Sequence, residues 1–165
     1  MGLLGTNHRS ASDERLMELV VRGDEKAFVT IYDRYHGRVL NYFHRMLWQD
    51  RQRSQDFMQD LFTKIAHKPT AYDASRPFST WLFSVANNMC KNEYRREEVR
   101  RAAVPELRHN GTAVFEAKGG EAVDREHFRH RLEEELDRLD PDHKATFVMR
   151  YEEDLAIKEI ALAFG

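Results

Sequence analysis

The sequence predicts an all-α protein, and three observations carry that prediction. Apolar residues recur at three- and four-residue steps and not in alternating runs, which suits helices packed by one face. Only four Pro and eight Gly interrupt 165 residues. The 41% of hydrophobic residues are mixed with 33% of charged ones, as amphipathic helices require. That length holds one ordinary domain or two small helical ones. No stretch of eighteen apolar residues occurs, and no charged start leads into an apolar run, so neither membrane insertion nor secretion is expected and the expected address is the cytoplasm.

Residues 1–11 carry Gly, Ser, Thr and Asn without periodicity and are expected to form a disordered leader. Ser12 or Asp13 can cap a first helix with Leu16, Leu19 and Val20 on its inner side and Gly23 as its stop. Asp24 can cap the second. From there Phe28, Ile31, Tyr35, Val39, Tyr42 and Met46 step by three or four, the mark of one long amphipathic helix ending near Trp48. A third helix, roughly Arg53 to Lys68, places Phe57, Leu61 and Ile65 inward, and Pro69 ends it. The stretch PTAYDASR, residues 69–76, is turn-rich.

A fourth helix runs from Pro77 to Arg101 and is two-sided. Phe78, Trp81, Leu82, Val85, Ala86 and Met89 form an apolar stripe able to bury against other helices. Ser84, Asn88, Lys91, Asn92, Arg95 and Arg96 form a row of amide and cationic donors on another face. Such a row, beside a Trp and a Phe, can hydrogen-bond base edges, pair with phosphates and stack on unpaired bases; it can equally be a solvated helix surface. On the third helix Asp56, Gln59, Asp60 and Phe62 are turned partly away from the core line. They suit a protein interface that receives cations and an apolar anchor, or surface acids with a second core aromatic.

From Ala102 to about Ala122 the periodicity dissolves around Pro105, Gly111 and Gly119-Gly120, which marks a linker and a domain boundary. The expected organisation is a domain over 12–101, a linker over 102–122 and a second helical domain over 123–165. In the second domain Phe128, Leu132, Leu136 and Leu139 are expected inward. Asp140-Pro141 reads as cap and first residue of a further helix through Phe147, Val148 and Tyr151. A last helix holds Ile157, Ile160, Ala161 and Phe164 at helical spacing.

The net charge of -2 conceals an asymmetry. Glu121 to Asp142 holds nine acids against four arginines, whereas Lys91 to Arg101 holds five cations against three acids. A local nucleic-acid site is compatible with that balance; a protein coated in positive charge is not. Catalytic arrangements are missing: no Gly-rich phosphate loop, no H-E-x-x-H, no Cys pair, no nucleophile elbow. His127 and His130 lie three apart without a well-spaced third ligand, so no metal and no cofactor is expected. Cys90, the lone cysteine, reads as a packed apolar residue.

Four ordered segments resemble the extracytoplasmic-function sigma factors, small dissociable initiation subunits of bacterial RNA polymerase. They are DERLMELVVRGDEKAFVTIYDRYHGRV, SQDFMQDLF, FSTWLFSVANNMCKNEYRR and, after the linker, LEEELDRLDPDHKATFVMRYEEDLAIKEIALAFG. The resemblance implies a four-helix region 2 domain, a flexible linker and the opening of a region 4 helix-turn-helix domain that stops at Gly165, where a recognition helix is expected to follow. It implies that Asp56, Gln59, Asp60, Leu61 and Phe62 meet the clamp of the polymerase's largest subunit. It further implies that Tyr72, Asp73, Ser75, Arg76 and Phe78 capture a base flipped from the promoter's -10 element. Trp81, Asn88, Lys91, Asn92, Arg95 and Arg96 then lie along the opened non-template strand. Core polymerase, promoter DNA and an inhibitory anti-sigma factor are the implied partners, and no bond chemistry is implied. Ala156 stands where the family has Ser or Thr, so the following helix is expected to be less well capped. An alternative is a protein-binding helical module that sequesters a regulator without DNA recognition, and a third reading is an enzyme with a helical metal site.

Overall fold

The computed structural model describes residues 8–103 and 121–164, and among these every regular element is helical. The helices are α1 (Asp13–Val21), α2 (Glu25–Met46), α3 (Arg51–His67), α4 (Phe78–Ala103), α5 (Glu121–Arg138), α6 (Pro141–Tyr151) and α7 (Ile157–Phe164), with a short 3-10 turn at Pro69–Ala71. Local chemistry explains their limits. Ser12, Asp24, Asp50 and Asp140 each accept a first-turn backbone N–H, satisfying donors that the helix itself leaves unpaired. Gly23 takes φ +87° at the turn from α1 to α2, a conformation that costs glycine little. The turn from α2 to α3 needs two residues in that region, Trp48 and Gln49, and neither is a glycine.

α2 is the central helix, packed by α1, α3, α4 and α6. Ile31, Val39, Tyr42, Phe43 and Met46 are at most 1% exposed on it. Apolar side chains so enclosed each contribute about 1.5–3 kcal/mol of transfer free energy, which makes this stripe the main source of cohesion. Edge-to-face contacts of Tyr42 with Phe43 and Phe83, and of Tyr35 with Phe78, continue the packing into α4.

Several expectations need correction. The described part of the leader is tied down: the Arg34 guanidinium donates to the carbonyls of His8, Arg9 and Ala11 and to Asp13 at 2.6 Å. Most of the expected linker lies outside the described residues, but its first two residues are helical in α4 and its last two in α5. α4 buries Phe78, Leu82 and Ala86 as expected, while Trp81, Val85 and Met89 are only half-buried. Its innermost line turns instead through Phe83, Asn87 and Cys90, because α2 packs that side. Among the described side chains of α5 only Leu136 is buried, with Phe128 and, just past the helix end, Leu139 exposed, so the inward line expected there is not enclosed by described residues.

The helices after the linker join the N-terminal ones. Ala145, Val148, Met149, Leu155, Ile160 and Ala163 belong to the same buried cluster as Ile31 and Leu82. Ile160 is buried and Phe164 packs against that core.

Candidate functional site

α4 and the loop before it bring most of the expected DNA-facing residues together. The Phe78 backbone N–H donates to the Glu14 carboxylate at 3.1 Å, so α1 caps the start of α4 from 64 residues away. No local signal in the sequence announces that cap. In the loop, Asp73 accepts from the Ser75 backbone N–H at 3.0 Å and from its hydroxyl at 2.6 Å, a closed turn that fixes the chain before α4. The Ser75 hydrogen bonds, first the side chain's, hold the Asp73 carboxyl below its ordinary value. Tyr72 spans the loop by donating its hydroxyl to the Arg76 carbonyl at 2.8 Å. Burial pushes the Tyr72 phenol up to about 12.

Tyr72, Phe78 and Trp81 form an aromatic cluster with ring centroids 5.4–5.9 Å apart. Phe78 is fully enclosed, so it cannot stack on a base; its role is to hold Tyr72 and Trp81, both half-buried with an accessible portion. Beyond Trp81 the polar row appears where expected: Asn88, Asn92, Arg95 and Arg96 are exposed along α4. Lys91 is only partly exposed, since its ammonium pairs with Asp142 at 3.0 Å. Asn87, a residue the reading passed over, is buried and accepts from the Tyr42 hydroxyl at 3.3 Å, and its amide nitrogen has no partner among the described residues.

The second surface is on α3. Asp56, Gln59 and Asp60 are exposed as expected, with Gln52 donating to Asp56 at 3.1 Å. Leu61 and Phe62 are core residues, 0% and 3% exposed, and this corrects their assignment as partner contacts. Phe62 packs edge-on against Tyr32 at 4.9 Å and Phe28 at 6.5 Å, so α2 already fills the face expected to anchor a partner. Cys90 is buried, and desolvation raises its thiol well above the ordinary value. Among the described residues no three His, Cys, Asp or Glu side chains are placed to share a metal ion.

Comparison with known proteins decides what this arrangement is. Residues 31–100, which hold most of α2, α3, the loop and most of α4, match the Sigma-70 region 2 family. Over 157 residues the chain is 27% identical to the RNA polymerase sigma-H factor of Pseudomonas aeruginosa, covering 90% of this chain and 80% of that protein. Residues 31–100 are thus a Sigma-70 region 2 match, and over most of its length the chain is similar to an RNA polymerase sigma factor. Two relatives named as extracytoplasmic-function (ECF) sigma factors match over about half of this chain. The ECF RNA polymerase sigma factor SigW of Bacillus subtilis is 28% identical over 85 residues, 52% of this chain and 45% of that protein. The ECF RNA polymerase sigma-E factor of Haemophilus influenzae is 32% identical over 81 residues, 49% of this chain and 42% of that protein. Each of these two matches spans less than half of the relative's length. The Sigma-70 region 2 match over residues 31–100 contains both surfaces described above. No described helix is long and apolar enough to cross a membrane.

Proposed function

We propose that this sigma factor divides initiation between two faces of region 2: Asp56, Gln59 and Asp60 on α3 dock on the polymerase clamp, and α4 with its preceding loop takes the opened -10 strand. As a sigma factor the chain is a transcription initiation factor that directs RNA polymerase to promoters. The observation that carries the finer reading is the two-sidedness of α4, which buries Leu82, Phe83, Ala86 and Cys90 while leaving Asn88, Asn92, Arg95 and Arg96 in the open.

The chemistry is binding, not bond-making. A base leaving the duplex loses stacking and pairing worth a few kcal/mol, and a preformed pocket must offset that loss. The loop held by Asp73, Ser75 and Arg76 provides a fixed rim, and the open edges of Tyr72 and Trp81 provide aromatic surface worth about 1–3 kcal/mol per stacked base. Asn88 and Asn92 supply amide donors and acceptors to base edges, and Arg95 and Arg96 supply the salt-sensitive phosphate term. The protein works in the cytoplasm with polymerase, its N-terminal domain ends with α4, and an anti-sigma factor holds it inactive by covering these faces.

The test separates the two faces. Asn88→Ala with Asn92→Ala is expected to reduce promoter opening, read by permanganate reactivity of unpaired thymines, by about tenfold, the loss of roughly one base-edge contact's free energy. Recovery of core polymerase in a pull-down should stay within twofold of the parent. Asp56→Ala with Gln59→Ala should lose polymerase recovery itself. If both pairs depress both readouts alike, the division of labour is wrong. The alternative of a sequestering module leaves the relatives' sigma factor names unaccounted for.

A further inference from the structure

α5 is held to the rest of the molecule along one side of its C-terminal half. Leu136 is buried there, Glu133 accepts from Arg45 at 2.6 Å, and Asp137 pairs with Lys144. Closer to its N-terminus, every residue from Arg125 to Arg131 is exposed. A helical segment that short is marginal in water by itself, so its helicity calls for a packing partner. A neighbouring face of α5 carries the apolar groups to meet one. Phe128 is 68% exposed, Leu132 is half-buried, and Leu139, just past the helix end, is 44% exposed. Their spacing of four and seven residues keeps them in one line, and His127, Arg131 and Glu135 border the shallow groove around Phe128 and Leu132.

The charges along α5 are ordered as well. Arg125, Arg129 and Arg131 stand with Glu126 in the exposed half, whereas Glu133, Glu134, Glu135 and Asp137 stand with Arg138 in the other. Glu135 pairs with Arg138 of its own helix at 2.7 Å, an exposed pair of little weight. A helix carrying both signs in this order is complementary to its own reverse, which singles out a second copy as the partner. Laid parallel, two such helices set like charges side by side; laid antiparallel, each basic half meets an acidic one. We infer that two copies of this chain associate through α5, antiparallel about a two-fold axis, with Phe128 of each copy over Leu139 of the other and Arg131 beside the other's Glu135. The two Leu132 side chains meet near the axis, and each charge pair occurs twice. Over the 18 residues of α5 the contact is about 27 Å long. That is the small end of specific interfaces, so the dimer is weak, with a dissociation constant on the order of 10 μM. The inference does not depend on the functional reading above.

Sedimentation equilibrium of the full chain at low salt, at loadings from about tenfold below to about tenfold above that constant, reads the association directly. The weight-average mass should climb from 19.5 kDa towards twice that value. A mass that stays at the monomer value across the range overturns the inference. Phe128→Glu, at an exposed position, should weaken association at least about tenfold with unchanged helicity by circular dichroism. A parent-like dimer from that variant overturns it, and should the variant lose helicity, the charge variants decide. Arg131→Glu and Glu135→Arg should each weaken association at least about tenfold, because each sets like charges opposite one another twice. Mixed in equal amounts, the two variants should associate within about threefold of the parent, since every pair is again of opposite sign. Single variants that dimerise like the parent, or a mixture that stays as weak as its components, overturn the pairing of the two α5 helices.

Discussion

At the scale of single residues, the same four-residue window on α3 contains both a surface and a core. Asp60 is exposed, while Leu61 and Phe62 beside it are buried among α2 side chains. Phe62→Ala is therefore expected to destabilise the fold by about 3–5 kcal/mol, read as a lowered denaturation midpoint, with polymerase recovery lost only in proportion to unfolding. A chain that melts like the parent but no longer binds polymerase would return Phe62 to the interface. Cys90 makes a second residue-level case. Its enclosure and raised thiol predict no alkylation by iodoacetamide at about pH 8 in the native state and complete reaction in denaturant, since the thiolate is the nucleophile. The sequence could read Cys90 as packed because it sits within an apolar helix run. It could not place Phe62, because Asp56, Gln59 and Phe62 share a stretch whose period fits two facings until α2 is laid against it. Glu14 and Asn87 escaped for a similar reason, as their partners lie far away in the chain.

At the scale of elements, the helices were largely legible because their punctuation is local. Ser12, Asp24 and Asp140 cap as expected, and Gly23 and Pro69 stop the chain where the period breaks. α3 was read as starting at Arg53, whereas Asp50 caps it and accepts from the Arg53 N–H at 2.9 Å. Asp50→Ala is expected to cost about 1 kcal/mol and to lower the melting temperature by a few degrees; no change would mean that the N-terminal turn of α3 carries no stability. At α7 the absent Ser or Thr is partly replaced, since Glu159 reaches back to the Ala156 N–H at 2.7 Å, one half of a capping box. α5 was the poorest expectation. Its apolar spacing is real, yet spacing shows only that a face exists, and Phe128 and Leu139 stay exposed.

At the scale of the whole molecule, the sequence divided the chain into two domains by composition, and the structure joins the described parts through one core and a set of charged pairs. Nothing in a one-dimensional pattern signals that the acids after the linker face Arg38, Arg45 and Lys91. The Arg38–Glu153 pair also sets a pH dependence. Burial, opposed by Arg38, raises the Glu153 carboxyl above its ordinary 4.5, so the docked form holds its proton more tightly than the undocked form. Docking support from this group is complete below the ordinary value and is lost as pH rises through the raised one. Lowering the pH from neutral towards the ordinary carboxyl value should therefore strengthen this contact, seen as a gain in thermal stability relative to Glu153→Gln, in which that dependence is removed. A Glu153→Gln chain with the same pH dependence as the parent would contradict it. Salt is a second lever, because Lys91–Asp142 is partly exposed and screened.

The central claim is that the polar face of α4 touches the opened strand. A photoreactive benzoylphenylalanine at position 88, and separately at position 59, in the complex with core polymerase and promoter DNA tests it most directly. The account predicts crosslinks from position 88 to the non-template strand within the -10 region and from position 59 to polymerase protein alone. Crosslinks from position 88 only to protein, with DNA captured at position 59, would contradict it.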